Sequence, residues 1–223
     1  MKKIMFNDKF GLTQAVLEGR KTQTRRIMKV QPPYKNLDIA FPVFVEEDWH
    51  TNPLYGSFCW VNKDNPKEHT NWIKPAFKDG EVVAVAQSYC SISEELENCD
   101  NVTCAAHYEK NVQKASEYIS WMEHPGFNNK MFVAADMMIH QIRITDVRVE
   151  RLLDISDEVC LKEGVVKWDA GQKDIPFFSY PNSAKCDYDT PQEAFANLIN
   201  KVSKKDVWSE NTYVFVYDFE LVK

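Results

Sequence analysis

Residues 139–152 read IHQIRITDVRVERL and give the strongest strand signal in the chain. Ile142 and Ile144 alternate in one phase, whereas Val147 and Val149 alternate in the opposite phase. Successive strand side chains point to opposite faces, so this change of phase marks an extra residue near Thr145-Asp146. The stretch therefore predicts a long strand with a bulge or corner, a device of small closed barrels.

The elements that follow this strand are short and have clear boundaries. Ser156 is placed to cap a short helix with acidic residues in its first turn, and Gly164 follows its end. Residues 190–193, TPQE, form a capping box with proline at the first helical position. The last strand, TYVFVYDFEL at 212–221, alternates with Tyr213, Phe215, Tyr217, Phe219 and Leu221 on one face.

The elements that precede it alternate between strand and helix. Residues 2–6 predict a short strand, and Asn7 or Asp8 is expected to cap a helix that ends at Gly19. Residues 21–30 are extended, 81–89 form a buried strand, and 105–123 carry a helical apolar pattern. We expect the acidic residues 91–104 to form a loop.

This mixed order predicts an α+β fold, with a small mixed or antiparallel β-barrel flanked by short helices. No Gly/Ser linker or repeat divides the chain. We therefore expect a single domain over residues 1–223, with insertions at about 31–75, 91–127 and 166–189, the first of them with one hairpin.

Composition and charge restrict the class of protein. The chain has 223 residues, 44% apolar and 27% charged, which is typical of a globular protein. It shows neither a signal peptide nor an apolar run of about 20 residues, so we expect a cytoplasmic protein with reduced cysteines. The net charge is −6, but residues 1–30 hold eight Lys or Arg and two acids, a local +6 that leaves −12 elsewhere. A basic patch on an acidic body favours a focused anionic ligand over sequence-blind DNA coating.

The basic segment at residues 17–26, LEGRKTQTRR, resembles the signature of the ASCH (activating signal cointegrator homology) domain, a branch of the PUA-like superfamily. Residues 78–85, 142–163 and 190–221 resemble its other conserved elements in order, and the long insertions are similar to those of phage- and prophage-associated members. The resemblance implies a PUA-like barrel with a cleft lined by the Gly-Arg-Lys-Thr loop, and binding of RNA or a modified nucleoside as the leading function.

One bacterial branch that resembles the chain at this motif hydrolyses acetylcytidine. That likeness implies a catalytic set of Lys21, Thr24 and Glu163. For the binding function of the basic loop, the expected ligand contacts are Gly19, Arg20, Lys21, Arg25 and Arg26. The chain departs from the family at Asp79-Gly80, where the order is reversed, and at residues 85–89, where many relatives have an Arg-Glu pair.

Three functions therefore stay open. The first is binding of RNA or a modified nucleoside through the basic loop, in which guanidinium groups hold phosphate. The second is an amidohydrolase in which Lys21 removes the proton of Thr24, since a threonine hydroxyl is a poor nucleophile without a base. The third is a protein-interaction module whose partner is unknown. We expect no membrane contact and no cofactor.

Other chemically suggestive residues are expected to have structural roles. Cys90, Cys99, Cys104 and His107 lack the paired spacing of a structural zinc site, so we expect no metal. Trp49, Trp60 and Trp72 could stack on a base but are expected to anchor the first insertion to the core. A lone strand histidine such as His140 is expected to be satisfied within the protein.

Overall fold

A computed structural model describes residues 1–33, 37–40, 54, 56–97, 123–169, 176–183 and 188–222. The fold is α+β. Its strands are β1 Lys3–Ile4, β2 Gln23–Ile27, β3 Leu37–Ala40, β4 Cys59–Asn62, β5 Val82–Val85, β6 Gln141–Arg151, β7 Val166–Trp168, β8 Phe177–Ser179 and β9 Tyr213–Val222. Its α-helices are α1 Leu12–Leu17, α2 Tyr89–Glu97, α3 Asp157–Lys162 and α4 Pro191–Ser203.

The main sheet has five strands in the order β1-β5-β6-β9-β2. β1 pairs with β5 in parallel, and the other neighbours are antiparallel. The pairing of β6 with β9 shifts register between Ile144 and Asp146, so the predicted bulge is confirmed. β3–β4 and β7–β8 are separate two-stranded sheets within the first and third predicted insertions.

The core lies between this sheet and the helices. Trp60, Tyr180, Tyr217 and Phe195 are among its largest fully buried side chains. Val214 and Val216 are also buried, so the last strand is covered on both faces and its sequence alternation does not separate core from solvent.

Two helix caps are as predicted. The Ser156 hydroxyl accepts from the amide of Val159 at the start of α3, and the Thr190 hydroxyl accepts from the amide of Glu193 at the start of α4. Each cap satisfies an amide that has no partner within its helix.

Other boundaries were predicted wrongly. Residues 91–97 are helical rather than a loop, because α2 begins at Tyr89 and buries Ile92 and Leu96. The strand predicted over 81–89 is shorter than expected, since β5 ends at Val85. α1 is preceded by a 3-10 turn, and Gly11, rather than Asn7 or Asp8, is its N-cap residue. The predicted helix at 105–123 lies outside the described residues except for its last position. Among the described helices, none has the length and apolarity needed to cross a bilayer.

Candidate functional site

The turn between α1 and β2 sends Lys21 into the protein interior. Gly19 adopts a positive φ of 71° immediately after the helix, a conformation that favours glycine. The amide of Lys21 donates to the carbonyl of Ala15 at 2.9 Å, and that of Thr22 donates to Lys162 of α3 at 3.0 Å. The segment is thus fixed between two helices before the strand begins.

Glu163 enters the same region from the end of α3. Its amide donates to the carbonyl of Val159, and Gly164 follows with a φ of 105°. This φ strongly favours glycine, and a Cβ atom at position 164 would also lie 3.1 Å from the Leu12 side chain, which would have to move slightly. The tight exit places the Glu163 carboxylate in the interior, where the residue is 3% exposed.

Lys21 and Glu163 form a buried ion pair. The Lys21 Nζ atom donates to Glu163 Oε2 at 2.7 Å, to the Glu163 carbonyl at 2.8 Å and to the Gln23 carbonyl at 2.7 Å. Three acceptors match the three hydrogens of an ammonium group, so these contacts stabilise the protonated form of Lys21. Burial nevertheless lowers the pKa of Lys21; the Glu163 carboxylate opposes that effect, and the charges of Arg26 and Arg25 add to it.

Arg25 extends the ion pair into a network. Its Nη1 atom donates to Glu163 Oε1 at 3.1 Å, and its Nη2 atom donates to Glu150 Oε2 at 2.7 Å. Arg148 donates to the other oxygen of Glu150 at 2.6 Å. A continuous chain of charges therefore runs from half-exposed Arg148 to fully buried Lys21.

Arg26 links the two edge strands of the main sheet. Its Nη2 atom donates to the carbonyl of Met5, just after β1, and its guanidinium lies 5.6 Å from the centre of the Phe6 ring. The buried Nε atoms of both Arg25 and Arg26 have no hydrogen-bond partner among the described residues. Buried donors of this kind are costly unless an acceptor reaches them.

Thr24, Lys21, Arg25, Arg26 and Glu163 all line one small cavity. Its volume is about 40 Å³, which is room for one or two waters. The Thr24 side chain is buried, and it has no hydrogen bond to another described residue. Three cations and one carboxylate line this cavity, so it favours an electron-rich ligand atom. The lining residues are Met5, Phe6, Asn7, Leu12, Lys21, Thr24, Arg25, Arg26, Glu163, Phe195, Leu198, Ile199 and Val202.

The structure thus brings together five of the seven residues singled out from the motif and its resemblance. Lys21, Thr24, Arg25, Arg26 and Glu163 all line the cavity. Gly19 shapes the turn, whereas Arg20 lies outside the cavity lining and pairs with exposed Glu18 at 2.5 Å. Lys21 and Arg25 are buried against carboxylates, so the segment is not a uniformly exposed basic loop.

Sequence reasoning missed two groups at this site. Glu150 is separated from Arg25 by 125 positions and reaches it only through the pairing of β2, β9 and β6. The inner face of α4 forms the cavity wall with Phe195 and Leu198, which the sequence marks only as core residues. The only sequence signal for Glu150 was the alternation of side chains after the bulge, which places it on the face opposite to Val147 and Val149.

The remaining candidates have structural environments. Trp60 is fully buried against Phe58, and His140 is paired with Glu95. Cys90 donates to Glu94 within α2. Cys99, Cys104, His107 and Trp49 lie outside the described residues.

Comparison of this chain with protein-family models, with curated proteins and with solved structures found no match.

Proposed function

We propose that the chain is an amidohydrolase that removes a small acyl group from a modified nucleoside such as acetylcytidine. The observation that carries the proposal is that Lys21, Thr24 and Glu163 line one buried cavity although Glu163 is 142 positions away from Lys21. The fold, and not the motif, brings Glu163 next to Lys21, so this contact supports the resemblance independently.

The chemistry assigns each side chain a role. Burial lowers the pKa of Lys21, and the ammonium group first releases one proton to solvent. Thr24 Oγ1 then attacks the acyl carbonyl carbon, while the neutral Lys21 amine accepts the hydroxyl proton. The C–N bond then breaks, and Lys21 returns the proton to the departing exocyclic nitrogen. Water hydrolyses the acyl-threonine ester and releases the carboxylic acid. Glu163 positions the Lys21 amine.

The unpartnered donors suit the charge that develops during this attack. The carbonyl oxygen becomes an oxyanion, and donors held in place in a water-poor site stabilise it strongly. The Nε atoms of Arg25 and Arg26 are buried without partners, and both residues line the cavity. An oxyanion would supply the acceptor that these groups lack.

The size of the cavity limits what enters it. About 40 Å³ accommodates a small acyl group but not a nucleoside. Of the lining residues, Met5, Asn7, Arg26 and Val202 are partly exposed. We place the base and ribose at this partly exposed side, with the acyl group inside.

A second candidate function is binding of the nucleoside, or of RNA that contains it, without turnover. The three acceptors around Lys21 Nζ favour it, because they stabilise the ammonium form that cannot act as a base. The cavity then recognises a carbonyl or phosphate oxygen through its cations.

We also propose that the five-stranded sheet is a PUA-like barrel. The hydrogen bond from Arg26 on β2 to the carbonyl of Met5 after β1 supports this, because it brings the two edge strands close together. In the described part of the chain, no backbone ladder joins these edges.

The test is the release of acetate from acetylcytidine, compared with binding of the nucleoside by calorimetry. Thr24→Ala should abolish turnover because it removes the nucleophile. Lys21→Arg should abolish turnover yet retain binding, because arginine keeps the charge but does not deprotonate. Thr22→Ala is the matched control, since Thr22 does not line the cavity. Wild-type protein that binds the nucleoside but releases no acetate would exclude the hydrolase and leave the binding function.

A further inference from the structure

A second and much larger cleft lies beside the Gly19-Arg20 turn. Its volume is about 680 Å³, within the range of small-ligand sites. Its lining combines aromatic and apolar side chains with one arginine and several small polar residues. The lining residues are Arg20, Val166, Trp168, Phe177, Ser179, Tyr180, Pro181, Asn182 and Ser183.

Trp168 presents an unusual amount of aromatic surface in this cleft. The residue is 51% exposed although indole is a large apolar group. It pairs across β7–β8 with Phe177, and the two rings lie within 13° of parallel with their centres 6.4 Å apart. Exposed flat rings of this kind serve as platforms on which nucleic-acid bases stack.

Arg20 supplies a cation at the rim that the cavity chemistry does not use. It is adjacent to Lys21, yet it is exposed while Lys21 is buried. Its Nε and Nη2 atoms both contact Glu18 Oε2, at 2.7 Å and 2.5 Å, and hold the guanidinium beside the cleft. The Nη1 atom is left to donate to a phosphate oxygen.

A second cation lies beside the cleft. Lys201 Nζ lies 5.7 Å from the centre of the Tyr180 ring, and Tyr180 lines the cleft. Exposed aromatic surface with an arginine and a lysine beside it is complementary to a nucleotide, which combines a flat base with an anionic phosphate.

We infer that this cleft binds one nucleotide of a single-stranded nucleic acid, with its base on Trp168 and its phosphate at Arg20. The inference goes beyond the proposed hydrolysis and does not depend on turnover.

The test measures binding of labelled oligouridine RNA and oligothymidine DNA, each about ten nucleotides long, by fluorescence anisotropy across a salt series. Trp168→Ala should weaken binding on the order of tenfold, and Trp168→Phe should restore part of it. Arg20→Ala should weaken binding and reduce the log–log salt slope by about one. Tighter binding of one oligonucleotide than the other identifies the preferred sugar.

The controls are matched to these changes. Arg143 is an exposed arginine paired with Glu220, as Arg20 is with Glu18, and Phe132 is a 56% exposed aromatic residue outside the cleft lining. Arg143→Ala and Phe132→Ala should leave the affinity unchanged. Equal losses in cleft and control variants, unchanged affinity in Trp168→Ala, or binding of neither oligonucleotide at low salt would each overturn the inference.

The two proposals are separated by their variants. Trp168→Ala should hydrolyse free acetylcytidine at the wild-type rate if the hydrolase proposal is right, because Trp168 does not line the cavity. Absent hydrolysis together with oligonucleotide binding that depends on Trp168 would contradict only the proposed function.

Discussion

Replacing Glu163 with glutamine tests the buried ion network directly. The Glu163 carboxylate lies 2.7 Å from Lys21 Nζ and 3.1 Å from Arg25 Nη1, and all three side chains are at most 4% exposed. Glu163→Gln keeps the shape of the side chain but leaves two buried cations without this carboxylate. Removing one partner from a buried pair typically costs about 3–5 kcal/mol. We expect a loss of that size in the free energy of unfolding.

Urea unfolding followed by circular dichroism measures this loss. With an m-value of about 3 kcal/mol/M, a loss of 3–5 kcal/mol moves the midpoint by roughly 1 M or more. The loss should shrink at high pH, because Lys21 can then release its proton while Arg25 stays paired with Glu150. The matched control is Glu220→Gln, which breaks a pair whose side chains are about half-exposed and should cost less than about 1 kcal/mol. Equal midpoints for the two variants would refute the structural role assigned to Glu163.

Two further predictions concern backbone geometry and pH. Gly11→Ala should lower the melting temperature more than Gly80→Ala. Both glycines have positive φ, but a Cβ at Gly11 would lie 2.6 Å from Pro181, whereas a Cβ at Gly80 would meet open space. Equal shifts in melting temperature would contradict the proposed clash. Stability should rise with pH between the lowered pKa of Lys21 in the folded protein and its ordinary value of 10.5, because the unfolded chain binds more protons in that window. Lys21→Met should flatten this rise in urea titrations at several pH values, and an unchanged slope would assign it to other groups.

Local signals in the sequence predicted the elements whose boundaries depend on a few neighbouring residues. The phase change in β6 and the caps at Ser156 and Thr190 are examples, because each is a contact within a few positions. α2 was missed because its start is fixed by tertiary contacts: the amide of Tyr89 donates to the carbonyl of Gly126, far along the chain. Acidic composition therefore misled the assignment of 91–97.

The candidate site shows the same difference between residues predicted from local sequence and features set by tertiary contacts. Lys21 and Thr24 could be selected from one motif, and the resemblance supplied Glu163. The burial of Lys21 and Arg25 against carboxylates could not be predicted, because it depends on which strands are neighbours in the sheet. A run of basic residues in a sequence predicts a basic surface, and only the structure shows which of these side chains are buried.

The bulge in β6 restricts where this strand can gain or lose a residue. Thr145 is the surplus residue that lets Ile142 and Ile144, and then Val147 and Val149, all pack against the core. Deleting Thr145 would remove the bulge and keep these four side chains on one face by regular alternation, whereas deleting Arg143 or Arg148 would put apolar residues on opposite faces. Related chains should therefore tolerate conservative exchanges along β6 and the loss of one codon at the bulge, but no single-codon deletion at Arg143 or Arg148.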